Sequence, residues 1–316
     1  MKKFLRAACM LLATVSLLAC NESLPAPVEV GPYTVDAIEK GVYHIEDCNS
    51  ARPAGNYTNA EGRMVQNNCS DMYLIVGKKS ALLIDLSNRL ADEEAIPSLR
   101  QLVYDRIGDK QLYITITHNH GDHTGMLPAF ADDERALFWI PAADFQRGGN
   151  FPEGRTEKFA EGASIDLGGK VINTLIVPGH TVGSTVFFLE GSDACFSGDA
   201  IGSGNGVWIF SYDGFKQYVG GVERLIAYIE NPDHGINAEE LIFYGGHDWQ
   251  KGDLPKLDMQ YLYDMRTLIE QLGAGTADYD PQAYNPMLNA NFKYGTAKIT
   301  WNTDHAKRYA EEVAAK

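Results

Sequence analysis

The segment ITITHNHGDHTGMLP, residues 114 to 128, constrains this chain more than any other. Four metal-ligand side chains lie within six positions, directly after an alternating β-branched run: His118, His120, Asp122 and His123. The run predicts a strand, so these side chains follow the strand's end. Core packing gives no reason to place three of the chain's eight histidines there. Imidazole and carboxylate groups suit zinc and neighbouring first-row metals, so the segment predicts a metal site.

Three more polar residues also follow apolar runs directly. NTLIVPG precedes His180, DACFSG precedes Asp199, and LIFYGG precedes His247. Taken singly, each has an ordinary interpretation: a hydrogen-bonded structural histidine, or an aspartate in a turn or helix cap. Because strand ends at one edge of an α/β sheet converge, we expect all three to join the first segment.

The predicted elements mix strands and helices. Helices are predicted over residues 91–108, 215–232 and 255–273, the last with Pro255 in its first turn. Strands are predicted between them, and no linker-like break follows residue 31. For residues 274–316 we expect a loop rich in Tyr and Asn, a strand at AKITW and a short final helix. The pattern predicts one α/β domain over residues 36–316, with residues 274–316 packed on it as an extension.

The charge of the chain excludes one class of partner. Its net charge of −15 repels phosphate backbones, and no Lys/Arg cluster lies beyond the N-terminus. Nucleic acid is therefore not an expected partner, and a small molecule is.

The N-terminus, MKKFLRAACMLLATVSLLAC, predicts a targeting segment. A basic start precedes an apolar run that is too short for a comfortable membrane span. The ending LLAC resembles a bacterial lipobox, which implies cleavage after residue 19 and lipid on Cys20. Residues 20–35 then form a tether, and the membrane is reached only through the lipid anchor. A plain signal peptide with a chance cysteine and an unprocessed anchor are the alternatives. Without an aspartate after Cys20, an outer-membrane or surface location is expected in a host with two membranes.

Two cysteines stand at the ends of neighbouring predicted strands. Cys48 ends GVYHIEDC, and Cys69 begins CSDMYLIVG. If the strands pair, the two thiols lie close together, and export permits a disulfide. A Cys48–Cys69 bridge and two unpaired thiols both remain open. Cys195 is expected to be a buried small hydrophobe.

The ordered motifs HNHGDH, PGHTVGS, FSGDAIG and YGGHDW resemble the metallo-β-lactamase superfamily over roughly residues 38 to 255. The resemblance implies an α/β fold, the αββα sandwich of two mixed sheets flanked by helices. It also implies two zinc ions or other first-row divalent metals. By position, one ion takes His118, His120 and His180, and the other takes Asp122, His123 and His247. Asp199 bridges both ions.

The resemblance implies a hydrolase that uses a metal-bridging hydroxide on an ester, lactone, thioester or related bond, with Asp122 orienting the water and carrying a proton. β-Lactamases of this superfamily usually have Cys or Ser at the position of Asp199. Quorum-signal lactonases have Tyr where this chain has Gly202. Retention of His120 argues against the diiron redox members.

Two alternative functions stay open: a β-lactamase, and a surface binding lipoprotein with a structural metal site. Trp208, Phe210 and Tyr212 are candidates for an apolar substrate wall, with Phe215 nearby. Core packing is the competing interpretation for two or more of these aromatic residues. Arg147 or Arg155 could meet a substrate carboxylate.

Overall fold

The computed structural model describes residues 24–146 and 149–316. The predicted signal segment, Cys20 and Arg147 lie outside these ranges. In chain order the strands are β1 (Val28–Val30), β2 (Tyr33–Glu39), β3 (Val42–Glu46), β4 (Gly55–Thr58), β5 (Met64–Asn67), β6 (Asp71–Val76), β7 (Ser80–Ile84), β8 (Gln111–Thr115), β9 (Ala136–Pro141), β10 (Thr156–Phe159), β11 (Ser164–Asp166), β12 (Val171–Ile176), β13 (Thr185–Leu189), β14 (Ala194–Gly198), β15 (Val207–Trp208), β16 (Ile242–Gly245), β17 (Asp278–Asn285), β18 (Leu288–Tyr294) and β19 (Ala297–Trp301).

The helices are α1 (Ala95–Ile107), α2 (Gly121–Thr124), α3 (Tyr212–Glu230), α4 (Met259–Ala274) and α5 (Thr303–Ala314). Short 3₁₀ turns cover Leu127–Ala129, Pro232–His234 and Asp248–Lys251. None of the helices in the described ranges is long and apolar enough to cross a bilayer.

Two mixed sheets stack face to face in the described chain. One has the order β1-β2-β3-β6-β7-β8-β9-β10, and the other has the order β11-β12-β13-β14-β16. Strands β7 and β8 pair in parallel, joined by a crossover through α1. Every residue of β7 is buried, as expected for a strand covered on both faces.

The apolar residues divide into three layers of core. Between the sheets, Tyr73 and Leu82 of the first sheet are clustered with Phe187 and Phe196 of the second. α1 covers the outer face of the first sheet. α3 and α4 cover the second, together with a third sheet of order β15-β19-β18-β17. The layers confirm the predicted αββα sandwich.

Three helix starts differ from the sequence prediction: α1 begins at Ala95 rather than at residue 91, and side-chain caps fix the starts of α3 and α4. α3 begins at Tyr212, where the Ser211 side chain accepts a hydrogen bond from the Gly214 N–H. α4 begins at Met259, capped by Asp258, so Pro255 precedes the helix and does not occupy its first turn. Caps of this kind contribute about 1 kcal/mol each.

The C-terminal segment is more ordered than predicted. The expected loop after residue 274 contains the hairpin of β17 and β18, and AKITW forms β19 next to it. Pro281 lies in β17, at the end of the third sheet's strand order, where a missing N–H is tolerated. β19 also pairs with β15, which joins this segment to the loop after Asp199.

Candidate metal centre

The loops after β8, β12, β14 and β16 meet at one end of the sandwich. Backbone hydrogen bonds fix their positions. The Thr185 N–H donates to the Thr117 carbonyl over 2.9 Å, which links the two sheets. Gly246 donates to the Gly198 carbonyl over 3.1 Å and accepts from the Asp71 N–H over 2.8 Å. The structure thereby brings all seven predicted ligand side chains together.

The first group consists of His118, His120 and His180. His180 Nε2 lies 3.2 Å from His118 Nε2 and 2.9 Å from His120 Nδ1. Imidazole nitrogens that face one another so closely repel through their lone pairs unless a proton or a cation lies between them. The arrangement therefore fits a shared cation.

The second group consists of Asp122, His123 and His247. One ligand atom from each lies within 4.8 Å of the others. His247 Nε2 is 3.5 Å from Asp122 Oδ2. Asp122 is the first acidic residue of the short helix α2, and His123 follows it on the same turn.

Asp199 lies between the two groups. Its Oδ2 atom is 3.6 Å from His180 Nε2, 4.0 Å from His118 Nε2, 3.7 Å from His123 Nε2 and 3.5 Å from His247 Nε2. Asp199 Oδ1 and His123 Nε2 are buried and have no hydrogen-bond partner. Buried polar atoms are nearly always satisfied, so these orphans support the fit of the side chains to metal ions.

The second ring nitrogen of four of these histidines is held by the protein. The pairs are His118 Nδ1 with Thr117 Oγ1 at 3.0 Å, His123 Nδ1 with Asp85 Oδ2 at 2.8 Å, His180 Nδ1 with the Trp208 carbonyl at 2.8 Å, and His247 Nδ1 with the Cys69 carbonyl at 2.5 Å. Such partners fix the tautomer and the ring orientation, leaving Nε2 free to bind a metal.

Asp85 is a residue of this site that the sequence prediction missed. It is 1% exposed, and its carboxylate also accepts from the Thr117 N–H over 2.6 Å and from Thr117 Oγ1 over 2.8 Å. Its φ of +65° places it in the left-handed region. An aspartate at the end of the fully apolar strand ALLI was the available signal.

Burial and charge divide the histidines into two kinds. Burial lowers the pKa of His118 and His120, and it lowers the pKa of His180 to about 4, so all three are neutral with available lone pairs. Burial also opposes the charge on His123, but Asp85 and Asp199 outweigh it and raise the pKa to about 10. A metal ion at this second group would compete with the proton on His123.

The acidic groups are ionised. Burial disfavours the charge on Asp199, but His247 and His123 outweigh it and hold the pKa well below the ordinary value. Asp122 likewise overcomes its burial through a hydrogen bond with His247, which lowers its pKa to about 2. Two carboxylates beside five imidazoles make a donor set suited to first-row divalent ions.

Two glycines are required by close approach. A Cβ atom on Gly246 would come within 2.5 Å of both Asp199 Oδ1 and His123 Cε1. A Cβ atom on Gly198 would come within 2.5 Å of Thr117 Oγ1, and the φ of Gly198 is +48°. Gly246 therefore leaves room for two of the ligand side chains, and Gly198 leaves room for Thr117, the partner of His118.

A cavity of about 430 Å³ opens beside the seven side chains. Trp208 and Phe210 line it, and their contact with a substrate stays a prediction. Tyr212 does not line it: it is 6% exposed, and its hydroxyl donates to Glu312. Phe215 is fully buried. The wall prediction is therefore wrong for Tyr212, because capping by Ser211 places it inside helix α3.

Arg155 also has a structural role rather than the suggested ligand role. Its guanidinium donates to the carbonyls of Ala131, Asp133 and Ala136. It does not line the cavity beside the metal centre.

The two strand-end cysteines are close together, as the sequence predicted. Both are buried and free in the structure, and a hydrogen bond with Cys48 raises the pKa of the Cys69 thiol. A disulfide between them stays a prediction. Cys195 is fully buried, as expected for a core residue.

The family model of the metallo-β-lactamase superfamily matches residues 70–247, more than half of the chain. The chain belongs to this superfamily. Solved members share its fold: a metallo-β-lactamase from Pontibacter korlensis aligns with a TM-score of 0.53 and 17% identity, over 75% of this chain and 99% of that one. A metallo-β-lactamase from Erythrobacter litoralis aligns at 0.51 and 14% identity, over 78% of this chain and 100% of that one.

Two curated relatives of this superfamily member come from fungi. An atrochrysone carboxyl ACP thioesterase from Pseudocercospora fijiensis is 33% identical over 40% of this chain and 36% of its own length. The lactamase-like protein aptB of Emericella nidulans is 24% identical over 65% of this chain and 59% of its own length. The chain thus spans only part of these relatives.

Proposed function

We propose that the chain is a hydrolase that holds two zinc ions, or another first-row divalent pair, and cleaves an ester, thioester or lactone in a small molecule. The observation that carries this proposal is the position of Asp199 Oδ2, within 4.0 Å of imidazole nitrogens from both ligand groups. One carboxylate oxygen shared by two donor groups is suited to bridging two cations.

His118, His120 and His180 would hold one ion, and Asp122, His123 and His247 the other, with Asp199 between. Zinc at such a site lowers the pKa of a bound water to about 7 and polarises the substrate's carbonyl oxygen. The protein contributes fixed ring orientations through Thr117, Asp85, Trp208 and Cys69, so that little reorganisation accompanies the reaction.

Hydrolysis joins the water oxygen to the carbonyl carbon and breaks the bond from that carbon to the leaving oxygen or sulfur atom. The leaving atom takes up a proton. Asp122 is ionised and 31% exposed in its side chain, so its carboxylate can accept the water's proton and pass it to the leaving atom. His247 Nε2 lies 3.5 Å from Asp122 Oδ2, so the two side chains could bind the same ion.

The relatives favour a thioester among the candidate bonds, because one of them bears the name of an ACP thioesterase. A panel of simple thioesters, aryl esters and lactones, assayed with zinc-loaded protein, tests the proposal. Zinc-dependent turnover of a panel member that falls at least 100-fold in Asp122→Asn, with the variant still folded, would support it. Turnover that is fully retained without metal would contradict it.

The two alternative functions have distinct signatures in the same assays. A β-lactamase would hydrolyse a chromogenic cephalosporin more efficiently than any member of the panel. A binding protein with a structural site would need a closed coordination shell of four protein ligands. Here the cavity reaches Asp122, Asp199 and His247, which favours a site open to water.

For location we propose export and lipid attachment at Cys20, in support of which the sequence offers its basic start, short apolar run and LLAC motif. Cell fractionation of the full chain and of Cys20→Ala tests this. The full chain should sediment with membranes and the variant should not. Recovery of both in the cytoplasm would refute it.

A further inference from the structure

A second cluster of metal-ligand side chains lies on the inner face of the first sheet. It consists of His44, Glu46 and Asp71, and one ligand atom from each lies within 4.8 Å of the others. His44 and Glu46 alternate along β3, so they share a face, and Asp71 is directly opposite Glu46 across the β3–β6 ladder. The His44 ring stacks on Tyr73, with centroids 5.2 Å apart. Strand register therefore fixes the cluster, whereas loops carry the seven-ligand centre.

Two buried polar atoms of this cluster have no hydrogen-bond partner among the residues that the structure describes. They are His44 Nε2 and Asp71 Oδ1, and the Asp71 residue is fully buried. The two atoms lie 3.1 Å apart, close enough for an ion pair, yet they are not aligned for a hydrogen bond. The seven-ligand centre shows the same signature at His123 Nε2 and Asp199 Oδ1. Because buried polar atoms are nearly always satisfied, the geometry fits a cation between them.

The charge of the cluster also favours a cation. Glu46 and Asp71 are carboxylates directly opposite each other, an arrangement that destabilises a pair of strands. Burial, followed by the charge of Asp71, raises the pKa of Glu46 to about 7. A third carboxylate, Asp248, lies nearby and is paired with Lys251. A proton on His44 offsets one negative charge, whereas a divalent ion would offset two.

We propose that His44, Glu46 and Asp71 bind a divalent cation at a third site, separate from the two ions proposed for the seven-ligand centre. One imidazole and two carboxylates suit Mn²⁺ or Zn²⁺. Each ion of the proposed pair has four protein ligands when Asp199 is counted, whereas this site offers three, and a proton competes for His44. The third ion should therefore be the most weakly bound and should be removed by dialysis.

An ion at the third site would have a structural role. The Asp71 N–H donates to the Gly246 carbonyl over 2.8 Å, and the Asp71 carboxylate accepts from the Asp248 N–H. Asp71 thus holds the backbone on both sides of His247. A cation that fixes Asp71 would stabilise the loop that carries this histidine.

The test is a titration of zinc-loaded, dialysed protein with Mn²⁺, in which the EPR signal of the free ion is followed. Zinc binds such ligands more tightly than manganese, so Mn²⁺ should report the site that zinc has left open. Wild type should bind one Mn²⁺ per chain, and Glu46→Gln should bind it at least about 10-fold more weakly. This variant keeps the size of the side chain and relieves the like-charge pair, so it should fold. Saturating Mn²⁺ should raise the Tm of wild type and leave that of Glu46→Gln unchanged.

Asp36→Asn is the matched control. Asp36 is exposed on β2 opposite His44, and the variant removes the same charge from a residue outside the ligand cluster. Its affinity for Mn²⁺ should stay within about 3-fold of wild type, because exposed charges are screened. Equal weakening by the two variants would indicate non-specific attraction and overturn the proposal, and so would a wild type that binds no Mn²⁺ up to about 1 mM.

Asp199→Ala separates the third site from the seven-ligand centre. Mn²⁺ binding that is lost in Asp199→Ala but kept in Glu46→Gln would place the ion in that centre and overturn the proposal. The proposal does not depend on hydrolase activity. A protein without turnover that still binds Mn²⁺ through Glu46 would refute the proposed function and leave the third site supported.

Discussion

Replacing Asp85 with asparagine should weaken the binding of the metal ion that we propose for His123 by about 10- to 100-fold. Asp85 Oδ2 now accepts from His123 Nδ1 over 2.8 Å. If the oxygen of the asparagine side chain still accepts a hydrogen bond from the Thr117 N–H, its NH₂ group faces His123 Nδ1. The imidazole must then turn Nδ1 into an acceptor, which moves the proton to Nε2 and removes the lone pair that would bind the metal.

The expected loss corresponds to about 1.4–2.7 kcal/mol of binding free energy. Asparagine is chosen because the φ of Asp85 is +65°, a conformation that asparagine adopts more readily than alanine does. Alanine would also leave the buried Thr117 N–H without its acceptor, which would mix a folding defect with the metal effect.

Zinc affinity is measured by competition with a chromophoric chelator, which resolves the two ions and needs no substrate. Asp264→Asn is the matched control. Asp264 is a buried carboxylate in α4 that accepts from the N–H and hydroxyl of Thr296 over 2.7 and 2.8 Å, outside the metal centre. It should lower stability and leave both affinities unchanged. Wild-type affinities in Asp85→Asn would refute the positioning role.

Three further outcomes are expected. Gly246→Ala should lose zinc at both ligand groups, since the new methyl group would collide with Asp199 and His123. Thermal unfolding of the metal-free variant should still show a folded protein, and retained zinc would contradict the predicted collision. Burial would lower the pKa of His44, but Asp71 outweighs it and raises the pKa to about 9. The charged His44 therefore stabilises the folded state fully below about pH 6.5, and this stabilisation is lost as the pH rises through 9. In urea unfolding, the free energy of unfolding should therefore fall by roughly 3 kcal/mol more between pH 6 and 10 in wild type than in His44→Gln. Equal pH profiles for the two proteins would contradict this. Oxidised protein should lose two titratable thiols if Cys48 and Cys69 form a bridge, and Cys48→Ser should abolish that loss; thiol counts that do not change on oxidation would exclude the bridge.

The ligand set was predictable because each ligand follows a recognisable apolar strand. HNHGDH, His180, Asp199 and His247 all end such runs, and the ends of β8, β12, β14 and β16 meet at one edge. The predicted layers followed from the alternation of strands and helices. Neither inference needed the details of loop geometry.

What the sequence did not reveal depends on contacts between distant segments. Asp85 resembled the end of a strand, and only the fold shows its carboxylate against His123. The β17–β18 hairpin was hidden by its polar residues and Pro281, and it is stabilised by pairing with β19. Tyr212 was misplaced because the cap at Ser211, rather than the aromatic pattern, decides where α3 begins.

The metal content of the purified protein tests the central claim most directly. Elemental analysis after dialysis against metal-free buffer should find about two zinc or similar first-row ions per chain. Asp199→Ala should reduce this content, because its Oδ2 lies within 4.0 Å of imidazole nitrogens from both ligand groups. A wild-type chain that takes up no metal under zinc saturation would contradict the account, and so would an Asp199→Ala variant that binds two ions with unchanged affinity.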